Sequence, residues 1–311
     1  MTSEPLSVAL TRSRRLRPEE AVLIVFTLVL AALAVMFHRT VHFHYRTFYG
    51  FAGLAVVGAL VMWAREGRAG GGWRTARDFA PFVGCVLIYE NLNEFLRDLP
   101  LVDRTGWALE MDLRLFGGVP AYWLDGWIND GMTMLMAVCY SAHYFMAPLL
   151  AVALYRQRQE VAFRNFMVAV MLTLYFGFGG YMLVPVSPPF AVIGNNAQLH
   201  EQLRTDGALM TALLHAYSSG PLRSPRDCFP SLHTAVTLVT LAFAWHHVRL
   251  LFWLLLPFGT GLVLATQYLR LHFAVDLVAA VPFAAFMVWW APRLNAWWFR
   301  ERVAICPRPP A

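Results

Sequence analysis

The sequence contains no lysine, and only 14% of its 311 residues are charged. So small a charged fraction, beside 58% hydrophobic residues and a mean hydropathy of +0.50, excludes an ordinary soluble domain and puts the chain in a bilayer. Cysteine is scarce too. Cys85 and Cys139 fall inside apolar stretches, Cys306 lies near the end of the chain and Cys228 outside the apolar stretches, so neither a disulfide framework nor a metal spacing emerges. No basic-aromatic pattern points to nucleic acid. No internal repeat or paired broken helix supports a transporter, and the only low-complexity tract is the short linker Ala69-Gly70-Gly71-Gly72-Trp73. The first apolar stretch follows four arginines and is not followed by a small-residue cleavage pattern, so it is expected to be a retained helix.

What the sequence does have is apolar runs. A helical span needs about 20 mainly apolar residues, and such stretches occur at 21–38, 48–64, 79–97, 131–155, 163–184, 230–248, 250–269 and 273–299. Eight spans with both termini cytoplasmic place sixteen arginines inside and nine outside, the arrangement that the positive-inside rule favours. The formal charge of +6 is then accounted for by topology and anionic lipid.

Two outer segments exceed the length of simple turns. Residues 98–130 carry an amphipathic, aromatic run expected to lie along the membrane surface. Residues 185–229 open on Pro185-Val186-Ser187-Pro188-Pro189 and lead into the strongest motif; ordered loops of such length are usually functional.

That motif is Pro230-Ser231-Leu232-His233 at the head of an apolar helix, with Pro230 expected in its first turn. Free N–H groups at a helix start suit phosphate. About 18 residues of helix at about 1.5 Å each match one bilayer crossing, so the hairpin that follows returns His272 to the depth of His233. The four-residue step from His272 to Asp276 is expected to put both on one helix face, where the carboxylate orients the imidazole. Ionisable groups at membrane depth are costly and tend to be functional. Arg223, Arg226 and Arg270 lie close enough in sequence to neutralise phosphate oxygens. A second polar cluster, Glu90, Asn91, Asn93, Glu94 and Arg97, has two readings: an internal ion pair, or a pocket for the hydroxyls of a polyol head group. His143 carries the same ambiguity.

Through Pro230-Ser-x-His233 and His272-x-x-x-Asp276 the chain resembles the type 2 phosphatidic acid phosphatase superfamily. Through Asp112-x-x-Leu-Phe-Gly117, Tyr140-Ser-x-His143, Pro185-Val-Ser-Pro-Pro189 and Phe229-Pro-Ser-Leu-His233 it is similar to the branch of aureobasidin-sensitive inositol phosphorylceramide synthases and their bacterial relatives. The resemblance covers about residues 77–285. It implies His272 as nucleophile, Asp276 as its orienting carboxylate and His233 as the general acid. Ser231, beside His233, is a further candidate for substrate binding. Two phosphatase features are missing: there is no lysine to head the first motif, and Ala265-Thr266 stands where Ser-Arg is expected.

The expected protein is all-α, a polytopic bundle of about eight membrane helices whose last six form the phosphatase-like core. Residues 1–76 form a two-helix extension, 77–299 the catalytic membrane domain and 300–311 a cytoplasmic tail. The expected activity is transfer of a phosphate-linked head group between membrane lipids at the extracytoplasmic face of the cell membrane, without metal or cofactor. Hydrolysis of a lipid or polyprenyl phosphate is the alternative, and a non-enzymatic transporter a weaker one.

Overall fold

The computed structural model of the chain describes residues 16–42, 52–53, 71–193, 209 and 226–304. Among these no strand occurs. The helices are α1 (Pro18–Met36), α2 (Gly71–Asp98), α3 (Thr105–Phe116), α4 (Asp130–Ser141), α5 (His143–Arg156), α6 (Glu160–Leu183), α7 (Pro189–Ile193), α8 (Leu232–His247), α9 (Arg249–Tyr268) and α10 (Ala274–Ala304). Two 3₁₀ turns, Pro120–Tyr122 and Asp125–Trp127, join α3 to α4.

Among the described residues, five helical segments are long and apolar enough to cross a bilayer: α1, α4 and α5 taken together, α6, α9, and α10 as far as Phe299. The chain is an integral, all-α membrane protein. Three of the eight expected spans are not in this set. The 79–97 stretch is helical within α2, but Glu90, Asn91, Asn93, Glu94 and Arg97 dilute its hydropathy. The 230–248 stretch yields α8, only 16 residues long. The 48–64 stretch lies outside the described residues but for 52–53.

Helix α6 is the axis of the bundle, packed against α8, α10, α1, α5 and α2. Through its middle it is apolar on every side, and its residues from Phe166 to Leu172 are buried without interruption, as expected of a helix surrounded by others. Near its end a Cβ on Gly180 would stand 2.7 Å from Pro230 Cδ. The missing side chain lets the segment entering α8 rest directly on the α6 backbone, a close approach that small residues permit between membrane helices.

At the opposite end the same helices are tied by ions. Arg77 Nε and a terminal guanidinium nitrogen reach the two oxygens of Glu20 at 2.8 and 2.9 Å. Arg17 donates to Asp78 at 2.7 Å, Arg164 pairs with the same Asp78 oxygen, and Arg164 lies 3.5 Å from Glu19. Three guanidinium groups thus face three carboxylates with almost no access to water, and the set joins α1, α2 and α6. The Trp298 indole donates to Leu16 O at 2.9 Å and brings α10 into the same end.

Asp78→Asn should leave Arg17 and Arg164 without their shared counter-ion. Breaking a buried pair in this way costs about 3–5 kcal/mol, so the variant is expected to unfold at a clearly lower temperature in detergent. An unchanged midpoint would mean that the network does not hold the helix starts together.

Candidate active site

The end of α6 that carries Gly180 faces the histidines. α8 begins at Leu232, capped by Ser231, whose hydroxyl accepts from Thr234 N at 3.3 Å. Pro230 therefore precedes the cap instead of lying in the first turn. Serine is a preferred cap because its short oxygen reaches an orphan N–H of the helix start. Ser231 is fully buried, and its own N–H donates to Asp276 O at 3.1 Å, so both its polar groups face protein. His233 is the second residue of the helix and half-buried.

The arrangement of His272 and Asp276 differs from the expected helix face. α10 starts only at Ala274, so His272 lies in the turn before it and Asp276 is its third residue. The Asp276 carboxylate folds back over the helix start: Oδ2 accepts from Phe273 N at 2.9 Å and sits 3.3 Å from His272 Nδ1. Capping geometry, and not the i, i+4 register of a formed helix, brings the two together. The next two N–H groups, Ala274 and Val275, donate to the two oxygens of Asp112 in α3 at 2.9 and 2.8 Å. Asp112 is fully buried. The sequence marked it only as part of a motif; here it caps a helix 162 residues away. Gly117, four residues after Leu113, ends α3 in the left-handed region at φ 73, which glycine adopts without strain.

His233 Nδ1 lies 3.1 Å from His272 Nε2, and His233 Nε2 lies 2.9 Å from the Tyr140 hydroxyl. Four side chains thus form one line: Tyr140, His233, His272, Asp276. His272 is 2% exposed and Asp276 fully buried, so solvent meets the line at its His233 and Tyr140 end. Asp276 Oδ1 has no hydrogen-bond partner among the described residues. His143 packs edge-on against His233 with ring centres 4.9 Å apart, and its Nδ1 is 2.6 Å from Tyr140 O. Gln267 Nε2 donates to His272 O at 3.1 Å and steadies the turn from behind.

The arginines fare differently. Arg270 is buried, adopts a left-handed backbone at φ 56, and is paired to Asp125 at 2.6 Å while its guanidinium lies over the Tyr122 ring. Its charge is already met within the protein, which sets it apart from the free phosphate clamp expected of it. Arg226 is half-buried, with one nitrogen 3.4 Å from Leu101 O, and Arg223 lies outside the described residues. Of the second polar cluster, Arg97 is exposed, while the side chains of Glu90 and Glu94 lie outside the described residues. The Pro185–Pro189 segment acts as a strap: Pro185 O accepts from Arg104 N, Ser187 N donates to Thr105 Oγ1, and Val186 O accepts from Cys228 N.

Cys228, His272 and Asp276 offer donor atoms within 4.8 Å of one another, a convergence that sequence spacing did not reveal. Burial, reinforced by Asp276 and Asp227, pushes the Cys228 thiol well above its ordinary range. A metal ion there would have to displace that proton, and a protonated thiol is a poor ligand.

The fold is that of a polytopic membrane protein in which His233, His272 and Asp276 meet at one end of the bundle. A family model described as the PAP2 superfamily matches residues 108–290, from α3 into α10, and the chain belongs to that superfamily. It is accordingly a phosphatase or phosphotransferase acting on lipid phosphoesters. Searches of curated proteins and of solved structures return no match.

Asp112→Ala removes two N–H acceptors from the start of α10. Loss of a helix cap costs about 0.5–2 kcal/mol, and here the loosened turn also carries His272. The variant should lose activity by more than its drop in thermal stability explains. Full turnover in a folded Asp112→Ala protein would show that the cap does not position the site.

Proposed function

We propose that the chain is a lipid phosphotransferase resembling inositol phosphorylceramide synthase, moving a phosphate-linked head group from one lipid to another through a phosphohistidine. The observation that carries this reading is the hydrogen-bonded line from His233 through His272 to Asp276. Asp276 accepts from His272 Nδ1–H, so Nε2 is the nitrogen that presents its lone pair to phosphorus once substrate displaces His233 from it. Attack forms the N–P bond and breaks the P–O bond to the leaving alcohol, whose oxygen receives a proton from His233. An acceptor hydroxyl then attacks the phosphohistidine, returning its own proton to His233.

Transfer is favoured over hydrolysis by the setting of the nucleophile. His272 is nearly inaccessible, and the position where a phosphatase arginine is expected is Thr266, fully buried, whose carbonyl accepts from Leu271 N at 2.9 Å. A site that excludes water while admitting a lipid hydroxyl suppresses the wasteful reaction. We place this site on the extracytoplasmic face of the cell membrane, following the arginine distribution, with residues 1–76 as an extension to the catalytic unit at 77–299. The Glu90, Glu94 and Arg97 cluster and His143 are assigned to the head group.

Purified protein given labelled phosphoinositol, phosphatidate and polyprenyl diphosphate lipids, with and without ceramide or diacylglycerol, should form a transferred lipid only when an acceptor is present. Phosphate release at the same rate in its absence would favour the phosphatase alternative. His272→Ala should abolish activity and covalent phosphate, whereas His233→Ala should slow the first step by about 10²–10⁴-fold and recover phosphoenzyme formation with a good leaving group. Phosphate found on His233 would reverse the roles.

Sidedness is open to a separate check. Glu110, in α3 at the site end, is 54% exposed. Glu110→Cys should react with an impermeant thiol reagent in intact cells above the wild-type background; labelling only after lysis would place the site on the cytoplasmic face.

A further inference from the structure

Among the described residues, the Tyr140 hydroxyl is the polar group bonded to the far nitrogen of His233. Tyr140 lies in the last turn of α4, before the helix interruption at Ala142, and its carbonyl is held by His143. The hydrogen positions follow from the line. His272 Nδ1 faces a carboxylate and carries a hydrogen, so its Nε2 is bare. His233 Nδ1, 3.1 Å from that bare nitrogen, must carry a hydrogen as well, since two lone pairs at this separation repel. A neutral His233 then has a bare Nε2, and the Tyr140 O–H is its donor.

We infer that Tyr140 is a positioning residue that holds His233 by its far nitrogen, its oxygen accepting from Nε2–H through both halves of the reaction and its hydroxyl donating to Nε2 in the resting neutral state. This rests on the phosphohistidine reading above. Before the first step His233 takes up a proton from water at Nε2 and becomes the imidazolium, and its Nε2–H donates to the Tyr140 oxygen. As the His272 N–P bond forms and the P–O bond breaks, the Nδ1 proton passes to the leaving oxygen, leaving His233 neutral with hydrogen on Nε2. In the second step the acceptor O–P bond forms, the N–P bond breaks, and the acceptor's proton returns to Nδ1. In the resting neutral state the tyrosine donates instead. A hydroxyl is suited to this because it both donates and accepts, whereas a carboxylate only accepts. Tyr140 itself never ionises.

The groups facing His233 are Tyr140 from α4, His143 from α5, and His272 with Asp276 behind it from the turn into α10. Tyr181 of α6 lies within electrostatic reach of Tyr140 and Asp276. Of these, Tyr140 is the neighbour bonded to Nε2, the nitrogen that stays protonated when His233 gives up its acidic proton.

The test compares wild type with Tyr140→Phe, which keeps the ring and removes the hydroxyl. With an alkyl leaving group, kcat should fall by about 10–10²-fold, less than for loss of the general acid itself, with KM little changed. The alkaline limb of the kcat profile should move to lower pH, because the imidazolium has lost its acceptor. With an aryl leaving group that departs without a proton, phosphoenzyme formation should return to near the wild-type rate. A merely structural role predicts equal losses on both substrates and an unmoved profile, and that result, or full activity on the alkyl substrate, would overturn the proposal. If Tyr140→Phe fails to fold by thermal unfolding, 3-fluorotyrosine at 140 keeps the shape and weakens the acceptor. It should shift the same limb in the same direction, and an unshifted limb would overturn the proposal too. Absence of phosphohistidine from wild-type protein would overturn the underlying reading, and is recognised separately because it does not involve Tyr140.

Discussion

Two carboxylates close over the first turn of α10, and the geometry of the site descends from that contact. A helix start exposes N–H groups with no partner along the chain and a partial positive charge. In this protein Asp112 takes two of those groups from the side, while Asp276 takes a third from within the helix. Each oxygen so engaged is fixed in direction. The oxygen of Asp276 that bonds Phe273 N is the one beside His272, so the imidazole is oriented by a group that the helix backbone has already immobilised.

The bundle is fastened differently at its two ends. At one, three guanidinium groups and three carboxylates neutralise one another away from water. At the other, hydrogen bonds from straps and caps predominate, beside histidines, single acids and the pair of buried Arg270 with Asp125. α6 connects the two, apolar along its middle and bare of side chain at Gly180 where α8 begins. Rigid charge pairing where helices enter, and finely directed hydrogen bonds where chemistry is expected, divide the tasks of holding and reacting.

The helical fold and the meeting of His233 with His272 were legible because both follow from local regularities. Apolar runs set helix lengths, and the two successive helices α8 and α9 return the chain to its starting depth. What could not be read was the choice of distant partners. Arg270 looked free for phosphate, but its counter-ion is Asp125, 145 residues earlier. Asp112 sat in an amphipathic run suited to the membrane surface, and its true partner is a helix end that has no sequence signature pointing back to it. Ser231 could have been assigned better: a serine just before an apolar helix is a cap signal, and a capping hydroxyl has little left to offer a substrate. The His272–Asp276 spacing gave the right neighbours by the wrong geometry, because a reach of four residues serves a capped turn as well as a helical face.

The resting contact between His233 Nδ1 and His272 Nε2 has a consequence for selectivity. On the proposed reading, the reactive lone pair already has an occupant, and that occupant is the acid the reaction later needs. An incoming phosphoester gains access only if one of its own oxygens takes over the hydrogen that His233 has been giving to His272. Recognition then becomes an exchange of acceptors, and a ligand is judged by how well its bridging oxygen competes with an imidazole nitrogen. Discrimination of this kind needs no ring of free positive charge. It would let a lipid with a correctly placed ester oxygen open the site, while small anions that bind without presenting one leave it shut.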